Sequence, residues 1–124
     1  MKFLLDTNFL LAQGEFKLDI FSELKKFGLP ELYTLDLVVE EIKFLAGGKG
    51  RDARNSKLAL RMIEEKNIKI LKSEMEKTDF ELERLSKEGY VVCTQDKKLA
   101  KRLVRAGNKV ISVRQKRYLE EFTW

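Results

Sequence analysis

At 124 residues, 44% of them apolar and 36% charged, the chain has the size and balance of one globular domain spanning 1–124, not of a disordered segment. A net charge of +5 and a pI near 9.3 suit an anionic partner such as nucleic acid without demanding one. No histidine occurs. This excludes Ser-His-Asp triads, histidine general bases and histidine-ligated zinc, so hydrolytic chemistry would rest on carboxylates with a hard metal, or on an unusual Lys or Tyr. The single cysteine, Cys93, excludes an intrachain disulfide and points to a reducing cytoplasm. With no long apolar stretch at the start, neither a signal peptide nor a membrane span is expected.

Short apolar runs alternate with longer amphipathic ones. Lys2 to Leu5 reads as a strand and leads into Asp6-Thr7-Asn8. A helical pattern then covers Asn8 to Phe27, with a break expected near Gly14. Further strands are expected at Leu32 to Leu35, Ile68 to Leu71, Tyr90 to Cys93 and Lys109 to Val113. Helices are expected at Asp36 to Ala46, Arg51 to Glu65, Asp79 to Lys87 and Lys97 to Arg105. Gly28, Gly89 and Gly107 follow three of the helical patterns, where a C-cap favours a positive φ. Gly47-Gly48-Lys49-Gly50 suits a hairpin between two helices. It is superficially similar to a phosphate loop but lacks the spacing, the preceding strand and the following Ser/Thr. Alternating strands and helices predict an α/β fold with a mostly parallel sheet covered on both faces.

Four acids stand at or near element starts. Asp6 and Asp96 each follow a strand, and in a parallel sheet such strand ends share one edge. Asp96, before Lys-Lys-Leu, is also a good N-cap. In LDLVVEEIKFL, the residues Val38, Ile42 and Leu45 share a helix face, so Glu41 is expected to border the core and Glu40 to face water. In TDFELERL, Thr78 and Glu81 have capping-box spacing, which puts Asp79 at the first helical position, with Ser73 and Glu76 as a rival pair. Carboxylates gathered together raise one another's pKa and are compatible if a divalent cation neutralises them. Oxygen ligands suit Mg²⁺ or Mn²⁺, which acidify water and stabilise charge on a phosphodiester.

These segments, LLDTNFLL, VVEEIKFL, TDFELERL and VVCTQDKKL with the later strand NKVISV, resemble PIN-domain nucleases in order and spacing along nearly the whole chain. The resemblance implies a three-layer α/β/α fold and an Mg²⁺- or Mn²⁺-dependent ribonuclease. It maps the catalytic acids onto Asp6, Glu41, Asp79 and Asp96, with Asp6, Asp79 and Asp96 as metal ligands and Glu41 assisting. Thr7 or Asn8, and Thr94, would support the acids or the attacking water by hydrogen bonds. The stretch from Asp79 to Asp96 is a little shorter than in many relatives, and Glu76, Glu81 and Glu83 lie close by, which leaves the identity of the third acid open. Two branches fit: VapC-type toxin ribonucleases, which imply an antitoxin partner, and PIN nucleases that cut precursor ribosomal RNA, which FKLDIFSELKKF and SVRQKRYLEE resemble. A homodimer is implied by the resemblance alone.

Three basic clusters could attract RNA phosphates without reading sequence. One is Arg51, Arg54, Lys57 and Arg61; another is Lys97, Lys98, Lys101, Arg102 and Arg105; the third is Arg114, Lys116 and Arg117. Phe44 and Tyr118 could stack on bases but are expected in core or edge packing. Cys93 is expected to be a small buried apolar residue. Phe122 and Trp124 are expected to cover an exposed face or a partner surface. The competing classes are a catalytically idle RNA-binding module with the same fold and a flavodoxin-like phosphohydrolase.

Overall fold

A computed structural model describes residues 1–123; Trp124, expected to cover a face, lies outside the described residues. The chain runs β1 (Lys2–Leu5), α1 (Thr7–Phe16), α2 (Ile20–Leu24), a 3₁₀ turn (Lys25–Phe27), β2 (Glu31–Leu35), α3 (Asp36–Ala46), α4 (Arg51–Glu65), β3 (Lys69–Leu71), α5 (Thr78–Ser86), β4 (Val91–Cys93), α6 (Lys97–Arg105), β5 (Val110–Arg114) and β6 (Tyr118–Glu121). The six strands form one sheet in the order β3-β2-β1-β4-β5-β6. All neighbours are parallel except β5 and β6.

The order explains the layers. From β1 the chain steps outward to β2 and β3, then returns to β4 and steps the other way to β5. Right-handed crossovers put helices of the two halves on opposite faces. α1, α3 and α4 pack together, as do α5 and α6, giving the expected α/β/α arrangement. The central strand is covered on both sides, which is why Phe3, Leu4 and Leu5 are all 0% exposed. Among the described residues no helix is long and apolar enough to cross a membrane.

The first helical stretch does not break at Gly14, which lies inside α1. The break falls at Lys17, in the left-handed region at φ 52, and Asp19 caps α2 by accepting from the Ser22 N–H at 3.1 Å. Gly14 instead admits a neighbour: a Cβ there would overlap the Asn55 amide on α4. Glycine serves close approach here, not termination.

The sixth strand was not expected. β6 pairs antiparallel with β5 through a turn in which Gln115 and Lys116 take φ 51 and 58, closed by the Arg117 N–H donating to the Arg114 carbonyl at 3.1 Å. Two successive positive φ values match the twist that hairpins need. Phe44, expected in packing, is 83% exposed, whereas Tyr118 and Phe122 are partly buried and Cys93 fully buried.

The Gly14 contact gives a stability prediction. Gly14→Ala in the wild type should cost up to about 1 kcal/mol in urea unfolding, because the Asn55 side chain must swing away and this offsets the gain in helix propensity. In an Asn55→Ala background the same change should cost less or become stabilising. Equal costs in both backgrounds would reject the contact as the reason for glycine.

Candidate active site at the β1/β4 switch point

The sheet order reverses between β1 and β4, and open α/β sheets form their crevice beyond the strand ends at such a point. Leu5 is in register with Cys93 on one side and Thr34 on the other, so Asp6 emerges at the middle of that edge. Its backbone N–H donates to the Cys93 carbonyl at 3.0 Å, extending the β1–β4 pairing. Buried Thr34 donates to the Leu5 carbonyl at 2.7 Å and fixes the other flank.

Asp6 is the N-cap of α1: Oδ1 accepts from the Thr7 N–H at 2.8 Å. Oδ2 accepts from the Thr94 hydroxyl at 2.7 Å. The Thr94 oxygen in turn accepts the Asp96 N–H at 3.1 Å, so one hydroxyl joins the turn bearing the fourth acid to the first. Asp96 Oδ1 caps α6 through the Lys98 and Leu99 N–H groups at 3.0 and 3.2 Å. Gln95 Oε1 accepts from the Val113 N–H at 2.6 Å, anchoring this turn to β5. The cap and the site therefore share the same carboxylates. Thr7 acts through its backbone, and exposed Asn8 makes no hydrogen bond to these acids among the described residues.

Asp6 is 7% exposed. Burial pushes its pKa up to about 6, against the lowering effect of the Thr94 and Thr7 hydrogen bonds; the charges of Asp79 and Glu41 push it further up. Those two acids thus act electrostatically on Asp6, although they come from α5 and α3. Both are exposed. Glu41 was expected to be held at the core border, but only Val38 and Ile42 of α3 are buried.

The TDFELERL segment folds differently from the capping-box expectation. Lys77 is the N-cap and makes no side-chain cap bond. Glu81, fully buried, uses Oε1 to accept the Glu74 and Met75 N–H groups at 3.1 and 2.8 Å and pairs through Oε2 with Arg84 at 2.9 Å. The Arg84 hydrogen bond holds its pKa below the usual range. Ser73, the rival cap, instead donates its N–H and hydroxyl to Asp36 Oδ1. Asp36 and Glu81 therefore fix the loop that delivers Asp79. The sequence reading missed both roles, since the Asp36–Ser73 contact spans 37 positions and leaves no local signal.

Among the described residues no three acidic, cysteine or histidine side chains stand together as a ready-made metal ligand set. The donors are nonetheless of the right kind. The charges of Asp79 and Glu41 act on a buried carboxylate, and among the described residues Asp96 Oδ2 accepts no hydrogen bond. An oxygen-only set completed by water suits Mg²⁺, which keeps several waters.

The basic clusters separate. Lys97 and Lys98 are exposed in the first turn of α6, where the helix dipole disfavours positive charge. Lys101 is partly buried in the next turn. Arg102 pairs with Glu83 at 3.4 Å and Arg114 with Glu120 at 3.3 Å, so these two are not free for phosphates. Arg51, Arg54 and Arg61 are exposed on α4 and pair with no acid among the described residues.

A three-layer α/β/α domain with a carboxylate site at the switch point is thus defined by fold and geometry. The chain belongs to the PIN-like domain family, whose pattern matches residues 3–116. Its fold is similar to that of the PIN domain endonuclease Utp24, at 23% identity and a TM-score of 0.76, over 98% of this chain and 92% of that one. It is also similar to a domain of a functionally unknown protein from Methanocaldococcus jannaschii DSM 2661, at 18% identity and a TM-score of 0.64, over 99% and 96% of the two chains. No curated protein matches the chain.

The Asp6 environment gives a pH prediction. A carboxyl whose pKa is raised on folding adds stability below its unfolded value, near 3.8, which is lost as pH rises through about 6. Metal-free Asp6→Asn keeps the cap but has no proton to lose. Its Tm should exceed the wild type's by about 5 °C or more at pH 7.5. The difference should close below about pH 4. A constant difference across that range would refute the raised pKa.

Proposed function

We propose that the chain is an Mg²⁺- or Mn²⁺-dependent endoribonuclease that hydrolyses RNA phosphodiester bonds. The observation that carries this reading is buried Asp6, which Thr94 ties to the Asp96 turn by hydrogen bonds and on which the charges of Asp79 and Glu41 act. Family membership and the fold likeness to an endonuclease support it.

Asp6, Asp79 and Asp96 would hold the cation. When bound, the ion supplies neutralisation of these carboxylates and of the phosphate charge that develops during displacement. Thr94 and the Thr7 N–H fix the orientation of Asp6, leaving one further lone pair on each oxygen. Glu41 orients the attacking water and accepts its proton on a carboxylate oxygen, the role that histidine cannot fill in this chain. Attack is in line: the water oxygen bonds to phosphorus, the opposite P–O bond breaks, and the leaving oxygen takes a proton from solvent. No covalent enzyme intermediate forms. Lys97 and Lys98 hold flanking phosphates beside Asp96, with Lys101, and Arg51, Arg54 and Arg61 add to the positive field.

Within the family, the ribosomal-RNA-processing reading rests on the resemblance of SVRQKRYLEE to that branch; the segment covers the end of β5 from Ser112, the turn and all of β6. A VapC-type toxin with an antitoxin partner and a homodimeric state is the second reading. Expression of a toxin should arrest growth, with relief by Asp6→Asn; a processing nuclease should not arrest it.

The enzyme should cleave single-stranded RNA only with Mg²⁺ or Mn²⁺. Asp6→Asn should reduce the rate by about 100-fold or more, and Glu41→Gln by about 10²–10⁴-fold, the range of a lost general base. Equal cleavage by wild type and Asp6→Asn would overturn the site assignment. RNA binding without cleavage by either would favour the idle module.

A further inference from the structure

α3 needs one apolar face, and Val38 and Ile42 supply it. Phe44 is not on that face. At 83% exposure it is, after Leu29, the most exposed large apolar side chain described, and no core residue requires it. A phenylalanine in water contributes little to the fold; its area becomes useful when something covers it.

Its surroundings identify the covering group. Phe44 shares a shallow groove at the tip of the α3–α4 hairpin with Lys43, Lys49 and Asp52. Residues 43–61 hold six basic side chains, Lys43, Lys49, Arg51, Arg54, Lys57 and Arg61, against one acid, Asp52. Those 19 residues carry a charge of +5, equal to that of the whole chain; the other 105 residues balance, with 19 basic against 19 acidic. All six basic residues are exposed. The surface therefore combines phosphate-attracting charge with an open aromatic face, the pairing used to hold single-stranded nucleic acid. An acidic protein segment would match the charge but offers no regular series of planar faces.

Position ties the groove to the site. Phe44 follows Glu41 by three residues on α3, so their side chains are neighbours, with Cβ atoms about 5–6 Å apart. Glu41 is close enough to Asp6 to raise its pKa.

We infer that Phe44 is a stacking platform for an unpaired RNA base near the cleaved phosphate, on a hairpin whose lysines and arginines hold the adjoining backbone. The inference rests on the ribonuclease reading and names the side chain that would make it depend on an unpaired base, because pairing and stacking in a duplex cover the base's faces.

The test measures anisotropy of a labelled oligoribonucleotide with the full chain in EDTA, where cleavage is blocked. Phe44→Ala should weaken single-strand binding by about 5- to 100-fold, with Phe44→Trp restoring it. Its thermal melt should match the wild type's, since the ring is exposed. A strand of abasic nucleotides, or the same sequence in a duplex, should bind wild type and Phe44→Ala equally. Lys43→Gln with Lys49→Gln should weaken all these ligands and reduce the salt slope by about 1–2. Unchanged single-strand affinity in Phe44→Ala overturns the platform, as does a loss of equal size on abasic strands. So does unchanged RNA affinity with a change in sedimentation mass, which would make the ring a protein contact. The two readings fail separately: cleavage lost in Asp6→Asn with no effect of Phe44→Ala overturns only the platform. Stacking without any cleavage by the wild type overturns the nuclease reading while the platform stands.

Discussion

The hydrogen bond from the Thr94 hydroxyl to Asp6 Oδ2 is the contact around which the site is arranged. It joins residues 88 positions apart, across the boundary where the sheet reverses its strand order. Through the same oxygen Thr94 accepts the Asp96 N–H, so the turns after β1 and β4 are set relative to each other by one side chain. Both turns also start helices, and the carboxylates that cap them are the ones we propose for the chemistry. Capping by itself would leave Asp6 at ease. Its burial beside Asp79 and Glu41 does not, and the pKa near 6 records that conflict. Ground-state cost of this kind is common where a site waits for a positive charge.

A second, outer set of contacts fixes the α5 side of the site. Asp79 stands at the start of a short helix after a loop with little apolar content. That loop is held by two carboxylates that have no part in the proposed chemistry. Asp36 grips Ser73, and Glu81, secured by Arg84, grips the amides of residues 74 and 75. Glu81 is thus a buried acid near the site that is already fully committed, while Asp79 remains exposed and acts on Asp6. The two acids differ by two positions in sequence and by everything in environment.

Much of the fold was legible because its signals are local. Five strands were recognised from short apolar runs ending in polar residues, and α3, α4 and α6 kept the bounds their periodicity predicts. Asp6 and Asp96 could be paired in advance because parallel strands put their carboxyl ends on one edge. The misreadings share a physical cause: a residue type was assigned its commonest local role when a distant partner had claimed it. Gly14 looked like a stop but makes room for Asn55. Thr78 and Glu81 had the spacing of a cap, yet Glu81 turns towards residues 74 and 75. β6 has the polar composition of an exposed edge, and its turn achieves positive φ with Gln115 and Lys116 where a hairpin signal would be Asn-Gly. Phe44 looked like packing, and only the structure shows its ring in solvent.

The central claim is that Asp6 is a buried carboxylate whose pKa stays raised, at about 6, until the proposed cation joins it. The most direct test is NMR titration of its carboxyl carbon, assigned by Asp6→Asn, in the metal-free and Mg²⁺-loaded protein. The account predicts a midpoint near pH 6 without metal, moving well down when Mg²⁺ is added. A metal-free midpoint near 3.8, the value of an ordinary aspartate, or a midpoint that Mg²⁺ leaves in place, would contradict it.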